Sequence, residues 1–222
     1  MALSILKQKY QSIKTKGIFA KWYDKNTKKN RIDEIREYVN VVDRFLPEHA
    51  NVLEIAPGNG YFAIELAKKG EFKIVGLDMS LDFVNICREN AIKEKVNIDF
   101  IQGNVSEMPF FENSFDFVFC SCSFHHFNEP IIALSEIHRV LKKGGICLIV
   151  DKINEPSKNK KNISMHRTVL ASFTNFFFTN ILKKTYNSAY SKNELEYMIK
   201  QIAFKKFTIK EERTQIHIYL YK

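Results

Sequence analysis

The feature that most limits the fold of this 222-residue chain is an alternation of short apolar runs with longer amphipathic runs between residues 51 and 152. The short runs have the length and composition of buried strands, and the longer runs have helical periodicity. This order is typical of parallel strands joined by crossover helices. Strands are predicted at residues 51–55, 72–78, 97–102, 115–121 and 145–152, and helices at 61–69, 81–93 and 130–141.

Several helix ends are marked by their residue types. Ser80 can cap the second of these helices, and Pro130 lies in the first turn of the third. The lysines and glycines from Lys142 to Gly145 predict that the third helix stops there. Upstream, residues 31–45 have helical periodicity, and residues 1–23 are expected to form one or two looser helices. Downstream, Ser191 and Glu194 have the spacing of a capping box and predict one more helix, to residue 203.

Two strand-like runs close the chain, at residues 207–211 and 215–221, and so few residues separate them that they must pair antiparallel. We therefore predict an α/β fold with a doubly wound, mostly parallel seven-stranded sheet that ends in an antiparallel hairpin. The predicted segments are an N-terminal helical segment closing the active site at 1–50, a cofactor-binding core at 51–152, a helical cap at 153–190, and a final helix and strand pair at 191–222.

The segment 153–190 is longer than a minimal sheet requires and is rich in aromatic residues. Two interpretations stay open. The segment is either a cap over a substrate cleft, closed from the other side by the N-terminal segment, or an accessory helix anchored to the core. The aromatic residues concerned are Phe173, Phe176, Phe177, Phe178, Tyr186 and Tyr190 in the segment, with Phe19, Trp22 and Tyr23 in the N-terminal part.

Composition excludes several classes of protein. Apolar residues make up 45% of the chain, which is typical of a globular protein. No apolar stretch has the length of a spanning helix, and the lysines within residues 1–16 argue against a secretory signal, so a soluble, cytoplasmic protein is expected. The four cysteines lie in apolar segments without a disulfide or zinc spacing, so we expect buried thiols and no metal site.

The net charge of +9 is unevenly distributed. Residues 1–50 carry 11 basic and 6 acidic side chains, residues 51–152 carry 10 and 14, and residues 153–222 carry 13 and 5. Basic ends favour either an anionic partner or simply a solvated lysine-rich surface. Met1–Tyr23 mixes lysines with apolar residues, which would also suit peripheral contact with a membrane.

A glycine-containing loop follows the first predicted strand. Gly58 and Gly60 allow a tight turn that brings the backbone close to a ligand at a helix N-terminus. With Asp78 further along, the loop also satisfies a loose dinucleotide fingerprint. Glu54 argues against that ligand, because its carboxylate at about 4 Å from a pyrophosphate would cost about 4 kcal/mol. A cationic ligand has the opposite preference.

These residues resemble the motifs of the class I S-adenosylmethionine-dependent methyltransferases, in particular the small-molecule group of the quinone-biosynthesis methyltransferases. Residues 52–60 resemble the first motif, with Ala56 where glycine is commoner. Residues 76–80 resemble the second motif and residues 103–110 the third, and the sequences around 115–121, 125–127 and 139–145 complete the pattern.

The resemblance implies a Rossmann-like methyltransferase fold that binds S-adenosylmethionine and releases S-adenosylhomocysteine. In the second motif the acid, here Asp78, binds the ribose and the next residue packs on the adenine. In the third motif the first polar side chain, here Asn104 in place of the usual Asp, meets the adenine amino group through its amide oxygen. The cofactor-binding residues implied are Glu54, Ala56, Gly58, Gly60, Asp78, Met79, Asn104, Val105 and Ser121.

The implied reaction is in-line transfer of a methyl group to a small-molecule acceptor. A general base is needed only if the acceptor must lose a proton. His125 and His126 follow the fourth strand, histidine is a side chain commonly used as a general base, and His125 is our candidate. The alternative is that these histidines only pack the loop. The acceptor atom and the oligomeric state stay open.

Two other functions stay open at this stage. One is an RNA or protein methyltransferase that docks through the basic ends, although no RNA-binding module is visible and nucleic acid is the less favoured partner. The other is a non-catalytic, S-adenosylmethionine-binding regulatory subunit, since the cofactor motifs would be the same.

Overall fold

The computed structural model of the chain describes residues 17–153, 189–212 and 215–222. The predicted helices within residues 1–16 and the predicted cap lie outside the described residues, apart from Ile153, Ala189 and Tyr190 at the two ends of the cap. The choice between a cap and an anchoring helix therefore stays a prediction.

Within the described residues, seven strands form one sheet in the order β3-β2-β1-β4-β5-β7-β6. The first five strands are parallel, while β7 pairs antiparallel with both β5 and β6. The predicted doubly wound sheet with a closing hairpin is confirmed. The strands are β1 (Asn51–Ile55), β2 (Lys73–Asp78), β3 (Asp99–Gln102), β4 (Phe115–Ser121), β5 (Leu141–Lys152), β6 (Lys206–Glu212) and β7 (Gln215–Tyr221).

Helices cover both faces of this sheet. Side chains of α1, α2 and α3 pack on one face, and those of α4 and α5 pack on the other. Because side chains alternate along a strand, Val52 packs on the face covered by α1, α2 and α3, and its neighbour Leu53 packs on the face covered by α4 and α5. In the ranges that the structure describes, the helices are α1 (Gly17–Asp43), α2 (Tyr61–Ala67), α3 (Leu81–Glu94), α4 (Pro130–Val140) and α5 (Lys192–Ile199), with one 3-10 turn at Phe124–His126.

The predicted helix starts are confirmed. The Ser80 side chain accepts a hydrogen bond from the backbone N–H of Phe83, and Ser191 and Glu194 form a complete capping box. Pro130 occupies the first turn of α4. The N-terminal helix, which we predicted over 31–45, is longer than expected and begins at Gly17.

α4 ends at Val140, one residue before the predicted end, but the residues from Lys142 to Gly145 do not form the predicted helix stop. Leu141 is already extended and starts β5, four residues before the predicted start at 145. The reason is tertiary pairing, since Gly144 N–H donates to the Lys222 carbonyl and Lys222 N–H donates to the Gly145 carbonyl. The glycines therefore lie at an irregularity within a strand, where the β4–β5 register shifts, and not at a helix end.

A cleft of about 360 Å³ opens at the amino edge of the sheet, lined in part by Asn51, Lys73 and Asp99. It contains none of the predicted site residues, which lie at the opposite edge. Among the described residues, no helix has both the length and the apolar character to cross a bilayer.

Gly76 in β2 gives a direct test of this packing. A Cβ atom added there would lie 2.3 Å from Cδ1 of the buried Phe100 ring. We expect Gly76→Ala to lower the free energy of unfolding by about 1–3 kcal/mol through overpacking. Urea denaturation measures this. Gly70→Ala is the control, because its Cβ would come no closer than 3.3 Å to the Phe72 ring. Equal stability of the two variants would contradict the packing.

Candidate active site

The glycine loop joins β1 to α2 and turns sharply through left-handed backbone. Ala56, Gly58 and Gly60 all have positive φ, at 52°, 59° and 75°. Gly60 is required twice over, because a Cβ there would also lie 2.9 Å from the Phe100 ring. Ala56 adopts the same backbone region with a side chain, at a cost of about 1–2 kcal/mol. The substitution at Ala56 thus strains the backbone besides adding a methyl group.

Glu54 is the central group of this loop. Its side chain is 4% exposed, and its carboxyl oxygen Oε2 accepts a hydrogen bond of 3.1 Å from the backbone N–H of Ala63 in the first turn of α2. In the described part of the chain no lysine or arginine forms an ion pair with it. Burial raises the pKa of Glu54 to about 8, against the Ala63 hydrogen bond and with some help from the Asp78 charge. The site therefore holds a buried acid that lacks a cation.

Asp78 ends β2 beside this loop. Its oxygens accept hydrogen bonds from Ser80 N–H at 2.8 Å and from Gly58 N–H at 3.4 Å. Burial raises the pKa of Asp78 to about 6, although both backbone hydrogen bonds oppose the rise. Met79 follows with half of its surface exposed, so its side chain is open to a ligand, as the resemblance implies.

The remaining predicted residues are less well placed for direct contact. Asn104 is exposed, and its amide oxygen already accepts from Ser106 N–H at 3.0 Å, which leaves one lone pair. The Val105 side chain packs in the core, so we expect a ligand to meet only its backbone. Ser121 is half-buried at the end of β4. Their cofactor roles stay predictions.

The structure adds residues that the sequence did not indicate. Asn59 is 2% exposed, and neither polar atom of its side chain has a hydrogen-bond partner within the described ranges. From α1, the Asp24 carboxylate accepts 2.9 Å hydrogen bonds from the Tyr61 hydroxyl and from Asn90 Nδ2. Asn90 also donates to the Asn59 carbonyl. The N-terminal helix is thus tied to the glycine loop.

A second group of polar residues lies at the ends of β4 and β5. His125 is 1% exposed, and its Nδ1 lies 2.6 Å from Asp151 Oδ1. The Arg31 guanidinium of α1 contacts Cys122 Sγ at 3.4 Å. Cys122 is half-buried and has a φ of 52°, while the other three cysteines are buried. Asp151 was missed in the sequence, although it is a polar residue directly after the apolar run of β5.

The polar side chains around the glycine loop fit S-adenosylmethionine better than a dinucleotide. A buried carboxyl without a cation suits the amino group and sulfonium of that cofactor, whereas it would repel a pyrophosphate. The orphaned amide of Asn59 leaves hydrogen-bonding capacity beside the loop. Asp78 at the end of β2 is suited to ribose hydroxyls.

The sheet order and this loop define the Rossmann-like fold of the class I S-adenosylmethionine-dependent methyltransferases. The family described as "Methyltransferase domain" matches residues 53–149, so this part of the chain is similar to that family. A methyltransferase from Aquifex aeolicus has the same fold, with a TM-score of 0.68 at 20% identity over 92% of this chain and 97% of that one.

Two curated relatives indicate which methyltransferases the chain resembles. The ubiquinone/menaquinone biosynthesis C-methyltransferase UbiE of Rickettsia prowazekii is 29% identical over 84% of this chain and 76% of its own length. The demethylmenaquinone methyltransferase of Chlorobaculum parvum is 30% identical over 70% of this chain, which covers 62% of that relative's length. The predicted resemblance to quinone-biosynthesis enzymes is confirmed.

The raised pKa of Glu54 predicts how stability changes with pH. Between the ordinary value of 4.5 and the folded value of about 8, the folded protein binds more protons at this site than the unfolded chain does. The free energy of unfolding should therefore fall as the pH rises through this interval. In Glu54→Gln the free energy of unfolding should fall less steeply with pH. The two proteins should differ in this slope mainly between pH 4.5 and about pH 8.

Urea unfolding at several pH values from about pH 5 to about pH 9 measures the effect. Asp78→Asn is the matched control, because its slope should differ from that of the original protein only up to about pH 6. If the curves of the original protein and of Glu54→Gln run parallel, the Glu54 carboxyl is not the group that titrates.

Proposed function

We propose that this protein transfers a methyl group from S-adenosylmethionine to a small-molecule acceptor, and that the acceptor is a quinone-type aromatic ring in its reduced form. The observation that carries the proposal is the buried Glu54 carboxyl at the mouth of the glycine loop, which has no cation of its own among the described residues. A positively charged ligand supplies that missing charge.

We assign the cofactor's groups to residues as follows. Glu54 receives the amino end and Asp78 the ribose hydroxyls, while Met79 packs on the adenine. The backbone of Gly58 and Gly60 allows close approach, with the Asn59 amide beside it. When bound, S-adenosylmethionine supplies a methyl group already activated by its sulfonium.

The chain itself then has to hold the acceptor and exclude water. Two contacts of α1 support the proposal that the N-terminal segment closes the site. Asp24 bonds to the side chains of Tyr61 and Asn90, and Arg31 reaches Cys122 at the end of β4. Together they place one helix against both halves of the carboxyl edge.

Aromatic residues at this edge support an aromatic acceptor. The Phe124 ring lies with its centroid 5.5 Å from Phe127 and 5.9 Å from Tyr190. Phe127 and Tyr190 are only partly buried. The names of the relatives from Rickettsia and Chlorobaculum refer to quinones, whose rings suit such surroundings. In the same proposal, His125 takes a proton from the acceptor.

Cofactor affinity tests the role of Glu54. We expect Glu54→Gln to weaken S-adenosylmethionine binding by about 10- to 100-fold, because a hydrogen bond to a charged group is worth about 1.5–3 kcal/mol. Isothermal titration calorimetry measures this. Glu71→Gln removes the same charge from a side chain that is 88% exposed and should bind as the original protein does. Equal affinities of the two variants would remove Glu54 from the site.

Methyl transfer tests the reaction. The full chain is incubated with S-adenosylmethionine carrying an isotopically labelled methyl group and with a demethylmenaquinol. We expect label in a product with one additional methyl group, and S-adenosylhomocysteine in equal amount. Cofactor binding without transfer to this or any other aromatic acceptor would contradict the proposed reaction.

A further inference from the structure

His125 is held by the neighbouring strand in a fixed orientation. It lies in the 3-10 turn directly after β4, and Asp151 is the next-to-last residue of β5. One carboxylate oxygen, Oδ2, accepts from the His125 backbone N–H at 2.9 Å, and the other, Oδ1, lies 2.6 Å from Nδ1. Two contacts from one carboxylate fix both the backbone and the ring.

This arrangement determines where the imidazole carries its proton. A carboxylate accepts hydrogen bonds and cannot donate them, so the hydrogen-bond pattern assigns the proton of neutral His125 to Nδ1. The other ring nitrogen, Nε2, then carries a lone pair. Asp151 would also stabilise the imidazolium that forms when Nε2 takes up a proton.

Among the residues that the structure describes, the lone pair of Nε2 accepts no hydrogen bond. The atom is buried, and no group in the described part of the chain lies within hydrogen-bond distance of it. Leaving a buried polar atom unsatisfied costs about 1–3 kcal/mol. The same edge of the sheet carries Glu54 and Asp78, and it is where ligands bind in this kind of fold.

Few other ionisable groups face this pair. The centroid of the His126 ring lies 3.9 Å from that of His125, and Lys152 follows Asp151 in β5. Tyr190 and Cys122 interact electrostatically with the Asp151 carboxylate. Burial lowers the pKa of Lys152 and raises those of Tyr190 and Cys122. All three shifts disfavour additional charge around His125, which leaves Asp151 as its partner.

We propose that Asp151 is a positioning residue that makes Nε2 of His125 the proton acceptor, and that the methyl acceptor therefore carries a proton that must be removed, as an O–H or C–H acid does. In this step the acceptor's O–H or C–H bond breaks, its electron pair stays on the acceptor, and the proton moves to Nε2. The proton passes to water after the product leaves. The proposal rests on the proposed function, and it disfavours tertiary amines and thioethers, which have no proton to remove.

The first test compares Asp151→Asn with His125→Gln, assayed with demethylmenaquinol and S-adenosylmethionine. We expect both to lower kcat by about 100-fold or more, with cofactor affinity unchanged within about twofold. The acidic limb of the pH–rate profile should move or vanish. Asp116→Asn is the control, since Asp116 accepts from the Asn51 N–H and from Lys142 at the opposite edge of the sheet. Asp151, in contrast, accepts from two backbone N–H groups and contacts the His125 ring.

A purely structural role for Asp151 would lower thermal stability in Asp151→Asn and Asp116→Asn alike and leave both pH–rate profiles unchanged. That outcome overturns the proposal. If Asp151→Asn does not fold, His125→Gln alone decides, because an unchanged kcat in that variant overturns it equally.

The second test does not depend on turnover. Nitrogen NMR of the protein with labelled histidine should show the neutral His125 ring protonated at Nδ1, and this preference should be lost in Asp151→Asn. A proton on Nε2 in the original protein overturns the proposal. If the protein binds S-adenosylmethionine but methylates only tertiary amines or thioethers, the proposal also fails. If no S-adenosylmethionine binds, the proposed function fails, and the NMR result alone decides the His125–Asp151 arrangement.

Discussion

The hydrogen bond between the Glu54 carboxyl and the Ala63 N–H is the contact on which the site depends. It joins the end of β1 to the first turn of α2 across the glycine loop, so it fixes the path of the loop. It also keeps an acid in a place where burial opposes its charge. A protein tolerates such an acid when a ligand supplies the opposite charge, and this links the local geometry to a cationic cofactor.

Two groups of polar residues lie at the carboxyl edge of the sheet, one at the ends of β1 and β2 and the other at the ends of β4 and β5. In the function we propose, the carboxyl groups of β1 and β2 serve the cofactor, and His125, Cys122 and Asp151 near the ends of β4 and β5 serve the acceptor. α1 contacts both halves, because Asp24 bonds to Tyr61 on the glycine-loop side and Arg31 contacts Cys122. This arrangement would suit a reaction that mainly needs alignment.

Much of the core could be predicted from the sequence, because apolar periodicity and capping residues act locally. β1, β4 and β7 match their predicted residues, and so does the capping box at Ser191. The start of β5 at Leu141 was not predictable in this way, since Gly144 and Gly145 are hydrogen-bonded to Lys222. A contact between distant residues leaves no trace in a local pattern.

The site shows the same division. Glu54 and Asp78 lie at the carboxyl ends of β1 and β2 within recognisable motifs, so their position could be predicted. Asp24 lies in a helix without any motif, and only the fold brings it to Tyr61. The pairing of Asp151 with His125 needs two neighbouring strands in register, which the sequence does not show.

Proton release on cofactor binding is the most direct test of the central claim. Calorimetry of S-adenosylmethionine binding at pH 7, in buffers with different heats of ionisation, counts the protons released. Since the pKa of free Glu54 is about 8, a cation that binds its carboxylate should release about one proton near pH 7, and Glu54→Gln should release none. Binding without proton release in the original protein would contradict the account.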